Sequence, residues 1–414
     1  MAVVRPFKGI RPTKELVDKV AALPYDVMNT EEAREMVKDN PYSFLHVDKA
    51  QIDLPIGTNQ YDEVVYNRAR KNLDEMRANG IYIQDNQPCM YIYRQVMNGR
   101  VQTGIVGCTS IDDYINNVIK KHENTRAEKE KDRINHVDYC NANTGPIFLT
   151  YRNVGEIDNV ISEWTEKEPE YSFVSEDGIS HIIWVIDNTD TVKRLEELFN
   201  GVEYLYIADG HHRAASAVNV GKMRREANKD YNGDEEFNYF LSVIFPADDL
   251  YIMDYNRVVK DLNGNSSEEF LNKISNSFHV EEYTGEGQYR PESKATFGMY
   301  LDNKWYKLTA IDGTYDPKDP VKSLDVSILQ ENVLTPILGI DDPKTSDRID
   351  FVGGIRGLGE LERRVEGGMK VAFAMYPTSI EELMDIADAG KLMPPKSTWF
   401  EPKLRSGIFV HELI

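Results

Sequence analysis

Five consecutive residues, Asp209, Gly210, His211, His212 and Arg213, concentrate more potential chemistry than any other stretch of this chain. They follow the aromatic and aliphatic run 203–208 and precede AASAVNVGKMRREA, where Ala214, Ala215, Val218 and Met223 recur near helical spacing. The order predicts a strand, a turn and a helix beginning about His211. Asp209 is suited to cap that helix through its carboxylate, and Gly210 to take an unusual dihedral or admit a close approach. The first turn of a helix presents unsatisfied N–H groups and the positive end of the dipole. Three basic or potentially basic side chains placed there call for an anion. Phosphate fits, with Arg213 giving paired hydrogen bonds and the backbone amides completing a cradle. The plainer alternative is an ordinary capped helix whose histidines fill surface or core. A metal held by both histidines is disfavoured, because neighbouring helical residues diverge by about 100°.

Other segments offer partners for such a site. Lys121-His122-Glu123-Asn124-Thr125 lies shortly before Asp132-Arg133. An imidazole or carboxylate there suits acid–base work on an acceptor hydroxyl, although such charge-rich runs also form plain solvated helices. Between prolines near the end, Lys396, Ser397 and Thr398 suit phosphate oxygens, while Trp399 and Phe400 can anchor the loop that runs on to Lys403. That loop lacks the glycine frame of a Walker motif. Arg5 or Arg11 suits a carboxylate and Asp26 an amine, or these short stiff loops only tie down the terminus. Gly353-Gly354 either admits a ligand to the backbone or forms a turn.

The elements that must position these residues read as follows. A helix is expected over 61–78, closed by Asn79-Gly80. Segments 90–96 and 101–108 flank Asn98-Gly99, a strong hairpin signal. The charge-dense run 112–139 reads as helix with a break near Asn124-Thr125. Strands are expected at 146–151, 181–186, 203–207 and 239–245, with a helix over 191–199. Further on come a turn at 261–267, a hairpin around Leu301-Asp302-Asn303, and helices over 324–332 and 380–389. A loop, 393–406, leads to a last strand, 408–413. With 414 residues, two or three domains are expected, divided here as 1–255 and 256–414.

Bulk properties narrow the function classes. The net charge is −21 and the pI about 4.9, which disfavours extended binding to nucleic acid or anionic lipid while leaving room for a local basic pocket. Hydrophobic residues make up 41%, enough for a normal core. Cys89, Cys108 and Cys140 show neither CxxC spacing nor even pairing, against a disulfide framework or structural zinc. MAVVRPFKGIRP is unlike a signal peptide and no window is apolar enough for a membrane span, so the cytoplasm is expected.

RPFKGIRP and LPYDV near the start, HENT in the middle, ADGHHR, and PKSTWFEPKLRSG near the end resemble the prokaryotic family DUF1015, associated with free-serine kinases of the ParB/sulfiredoxin-like superfamily. The resemblance implies an α+β fold: a ParB/sulfiredoxin-like core with large insertions and a C-terminal α/β extension that contributes a closing loop. It implies a phosphotransferase that uses ATP or ADP with Mg2+ and gives O-phosphoserine from free L-serine. The phosphate contacts would come from Gly210, His212 and Arg213, joined by Lys396, Ser397 and Thr398. Asp209 would stand near the metal or acceptor, and the catalytic set would be Asp209, His211, Glu123 and His122. The partners are then a nucleotide and a small amino-acid-like substrate, with no nucleic acid and no membrane. A nucleotide sensor without turnover and a phosphohydrolase using the same pocket are the competing readings.

Overall fold

The computed structural model describes residues 1–414. Its chain divides into two compact units, Met1–Leu250 together with Pro402–Ile414, and Tyr251–Glu401. Both are mixed assemblies of helix and sheet.

The first unit is built on a nine-stranded mixed sheet. Its strands lie side by side in the order Ile119–Lys120, Leu205–Asp209, Ile147–Tyr151, Tyr239–Pro246, Arg100–Ser110, Met90–Met97, Ser180–Ile186 and Tyr171–Val174, and Val4–Arg5 pairs with Arg100–Ser110. Asn98 and Gly99 take φ of 51° and 80° between Met90–Met97 and Arg100–Ser110, the left-handed pair that a tight hairpin needs. Sheet residues such as Ile92, Ile105, Leu149, Ile207 and Ile244 are fully buried in one core with Ile157, Leu195 and Phe199 from the helices Gly155–Thr165 and Thr189–Asn200. A second core gathers Phe44, Leu45, Ala69 and Leu73 beneath the helix Glu63–Ala78.

The run 112–139 departs from the expected broken helix. A short helix, Ile111–Ile115, is followed by the strand Ile119–Lys120, and only Ala127–Cys140 is a long helix. The strand forms because Ile119 and Lys120 find a parallel partner in Leu205 and Tyr206, a distant pairing that local charge does not reveal. The last residues join this unit through Ser406, whose backbone exchanges hydrogen bonds with Ala22, and through a bridge between Val410 and Ile10. The expected strand at 408–413 is reduced to His411–Glu412, paired with Ala142–Asn143.

The second unit holds a six-stranded antiparallel sheet in the order Phe278–Glu282, Lys304–Ala310, Thr296–Leu301, Val371–Ala374, Tyr255–Val259 and Ile349–Gly353. Val258, Trp305, Val352 and Leu361 share its core. Asp302 and Asn303 both have positive φ and close the expected hairpin. The helix expected over 324–332 appears as Asp325–Leu329 followed by a wider π turn, Gln330–Leu334. Gly353 and Gly354 admit protein rather than ligand: a Cβ on Gly353 would lie 2.6 Å from the Trp399 ring, and one on Gly354 would lie 2.5 Å from the Asp254 carboxylate.

Candidate functional site

The strand Leu205–Asp209 slips register against Ile147–Tyr151 between Ile207 and Asp209. Such an irregularity bends a strand end and re-aims its side chains. Gly210 then takes φ 93° and ψ 31° and occupies the cap position of the helix His211–Ala227, with no side-chain cap hydrogen bond. The expected cap by Asp209 is therefore absent. The glycine turn directs that carboxylate towards two cations instead, Arg213 Nη2 at 3.5 Å and Lys403 Nζ at 3.7 Å. Burial alone would raise its pKa, but Lys403, Arg213, His211 and the Gly210 amide hold it down at about 2.

The helix lies close to its neighbours because its inward face is made of small residues. Ala214, Ala217, Val218 and Gly221 are buried, and a Cβ on Gly221 would meet Ile111 and the Phe237 carbonyl at 2.6 Å. Met223, expected on the same stripe, instead has 46% of its surface exposed. It falls on the outer side of a helix whose apolar face is carried by small side chains.

Arg213 folds back over the turn. A Cβ on Gly210 would sit 3.1–3.2 Å from its Nε, Cζ and Nη2, so glycine is needed here for space as well as for φ. Its Nη1 donates to the Pro146 carbonyl, while Nε is buried without a partner. His211 is buried, with Nδ1 3.7 Å from Glu123 Oε2 and Nε2 unpartnered. Burial lowers its pKa to about 4. His122, also buried, packs edge-on against it with ring centroids 4.5 Å apart. Burial and His211 push the His122 pKa far down, so both rings are neutral near pH 7. His212 Nδ1 is a further buried atom without a partner. Eight buried side-chain polar atoms in the protein lack a hydrogen-bond partner, and four of them sit here: His122 Nδ1, His211 Nε2, His212 Nδ1 and Arg213 Nε. Buried polar groups are normally satisfied, so this concentration makes the turn the candidate site.

Beside the turn lies a narrow cleft of about 20 Å3 bounded by Tyr25, Arg133, Thr144, Gly145 and Arg213. Arg133, His136 and Val137 line it because positions 132, 133, 136, 137 and 140 share the buried face of the helix Ala127–Cys140. Arg133 pairs with Asp132 at 2.8 Å and lies 4.1 Å over the Tyr25 ring. Thr144 Oγ1 donates to Asp48 Oδ1 at 2.8 Å, and His136 Nε2 stands 3.5 Å from the same oxygen. Burial pulls the His136 pKa down, but Cys140 and Asp48 hold it up at about 9. Lys49 is buried too, donating to the Tyr25 and Met28 carbonyls, and burial and Arg133 lower its pKa. The cleft thus has two guanidinium groups and a charged imidazole in its lining.

The first unit brings together Asp209, Gly210, His211, His212, Arg213, His122 and Glu123. Lys396, Ser397 and Thr398 belong to the second unit, where the Ser397 hydroxyl donates to the Pro394 carbonyl at 2.7 Å and the Lys396 carbonyl accepts from Arg257. Arg11 is not available as a carboxylate clamp, because Asp85, Glu170 and the Tyr171 hydroxyl already hold its guanidinium. Arg5 lies 4.4 Å over the Tyr239 ring. No sequence signal pointed to Asp48 or Lys49, and of the two loop lysines Lys396 rather than Lys403 was expected to face the site. For His136, also missed, the i, i+3, i+4 spacing of Arg133, His136 and Val137 was the available signal for the cleft wall.

No group of three or more His, Cys, Asp or Glu side chains gathers to hold a metal ion by itself. No helix is long and apolar enough to cross a membrane.

The fold is that of a mixed α/β protein, with unpartnered buried nitrogens gathered at one helix start. The chain belongs to the family described as "Protein of unknown function (DUF1015)", which matches residues 4–327. No curated protein matches it. Among solved structures it is similar to a free serine kinase in complex with AMP, at 14% identity over 75% of this chain and 93% of that one, with a TM-score of 0.36. It is also similar to a conserved hypothetical protein from Pyrococcus furiosus (14%, 74% and 94%, TM-score 0.36). SbnI with a C-terminal truncation, from Staphylococcus aureus, is a third (11%, 72% and 82%, TM-score 0.37).

Proposed function

We propose that this protein is a nucleotide-dependent small-molecule kinase on a ParB/sulfiredoxin-like core, transferring phosphate from ATP or ADP to the hydroxyl of free L-serine. The observation that carries the reading is the cluster of unpartnered buried nitrogens at the uncapped start of the helix His211–Ala227. Arg213 Nε, His212 and the first-turn amides are the phosphate contacts, and Lys403 adds a second cation beside Asp209. Phosphoryl transfer asks mainly for positioning and charge neutralisation, which such a set supplies.

Mg2+ is usually held by one or two carboxylates together with substrate phosphates, and Asp209 offers one such carboxylate. When bound, the ion would neutralise phosphate charge. Among the acid–base candidates, Glu123 has 40% of its side chain exposed, whereas His122 and His211 are sealed beneath it. Glu123 therefore takes the acceptor hydroxyl proton, and His211 orients it. The serine oxygen then forms its bond to phosphorus as the bond to the departing nucleotide oxygen breaks. Arg133 is the candidate contact for the serine carboxylate and Asp26, close enough to His212 to favour its charged form, for the ammonium.

The test is incubation of the full chain with ATP or ADP, Mg2+ and single amino acids, followed by mass spectrometry. O-phosphoserine is the expected product. Nucleotide loss without it would indicate hydrolysis, and binding without turnover a sensor; either outcome overturns the kinase.

A further inference from the structure

We infer that Arg405 and a set of buried polar side chains position Lys403 against Asp209, which makes the segment from Pro402 onward a working part of the phosphate site. This rests on reading the Asp209–Arg213 turn as that site.

Two hydrogen-bonded chains converge on the segment from the sheet. Gln102 Nε2 donates to Gln95 Oε1 at 2.8 Å, and Gln95 Nε2 donates to the Lys403 carbonyl at 3.0 Å. Two residues further on, Arg405 donates through Nη2 to the Ser175 hydroxyl at 3.1 Å and to the Asp177 carboxylate, and through Nε to His181 Nε2 at 3.4 Å. His181 Nδ1 is 2.7 Å from the Tyr93 hydroxyl. Tyr93, Gln95, Gln102 and His181 are all buried, and burying polar groups is costly unless each is bonded. Here the bonds end on Lys403 and Arg405.

A simple tether for the end of the chain does not need this network. The Ser406–Ala22 backbone pair, the Val410–Ile10 bridge and the His411–Asn143 contact already fasten it. What the two chains add is a fixed backbone at Lys403 and two residues after it. Fixing the backbone at Lys403 sets where its side chain begins, so no backbone freedom is left to lose when the ammonium meets Asp209. The Lys403 side chain is only 13% exposed, with Nζ 3.7 Å from Asp209 Oδ2. Arg405 is thus a positioning residue, acting through Lys403.

The experiment uses the full chain and the variants Arg405→Lys, Asp177→Asn and Asp177→Glu. One arm measures acetylation of the Lys403 amine by mass spectrometry without ligand, with Lys38, 65% exposed, as the internal reference. Lys403 should react slowly in the parent, about 10-fold faster relative to Lys38 in Arg405→Lys and Asp177→Asn, and near the parent rate in Asp177→Glu. The second arm measures the affinity for ADP and for adenosine. Loss of a placed ammonium should weaken ADP about 10-fold, the scale of one charge-assisted hydrogen bond, and leave adenosine unchanged. Unchanged Lys403 labelling in Arg405→Lys and Asp177→Asn overturns the proposal, as does equal weakening of both ligands. A parent protein that binds no ADP sinks the phosphate reading instead, while the labelling arm still decides the positioning. Should Arg405→Lys fail to fold, the Asp177 pair decides alone.

Discussion

Gly210 in the first unit and Gly353-Gly354 in the second both stand where a strand ends, yet their surroundings differ in kind. Beside Gly353 and Gly354 the space is taken by the Trp399 ring and the Asp254 carboxylate, the latter bonded to Asn256 and Arg290. That turn is closed by its own protein. Beside Gly210 lies a guanidinium whose Nε has no partner, flanked by two histidines with unpartnered ring nitrogens. A glycine at a strand end is therefore weak information by itself. The polar groups around it, and whether they are satisfied, separate a packing device from a site.

Substitutions in the two regions should sharpen or break this contrast. The largest effect is expected from Glu123→Gln, which removes the proposed base. Turnover should fall by about 100-fold or more with little change in nucleotide KM, as steady-state kinetics would show. A parallel rise in KM would mean that Glu123 binds rather than reacts. Arg213→Ala should weaken ADP by about 100-fold, since a charge-assisted hydrogen bond from Nε to phosphate is worth more than a neutral one.

Gly210→Ala and Gly353→Ala form the direct comparison. The first forces a side chain into φ 93° and against the Arg213 guanidinium, so ADP affinity should drop by about 10-fold along with a loss of about 1 kcal/mol in stability. The second drives a methyl into Trp399 and should lower the unfolding temperature without touching ADP affinity. Equal ligand effects from the two would erase the distinction.

The smallest effect is a pH dependence of stability from the cleft wall. The folded-state pKa of His136, about 9, stands above its ordinary value near 6.5. Its contribution is thus fully present below about pH 6.5 and lost as pH rises through 9. The melting temperature should fall by a few degrees over that window, and His136→Gln should flatten the slope.

Local chemistry made much of this legible from sequence. The hairpins at Asn98-Gly99 and Asp302-Asn303 follow from residues that tolerate positive φ, and the strand–turn–helix at 205–227 follows from periodicity broken by Asp-Gly. What escaped depends on distant partners. Asp209 looks like a cap until Lys403, far along the chain, is found beside it. Lys396 and Lys403 are alike in sequence, and only the return of Pro402–Ile414 to the first unit separates them. Asp48 meets His136 and Thr144 across a long loop closure, which no spacing rule reports.

The proposed kinase depends on a nucleotide phosphate held at the turn Asp209–Arg213. Calorimetric titration of ADP with Mg2+ into the full chain and into Arg213→Ala tests it most directly. The expected result is saturable binding to the parent and affinity reduced by about 100-fold in the variant. Equal affinity for the two proteins, or no binding to the parent, would contradict it.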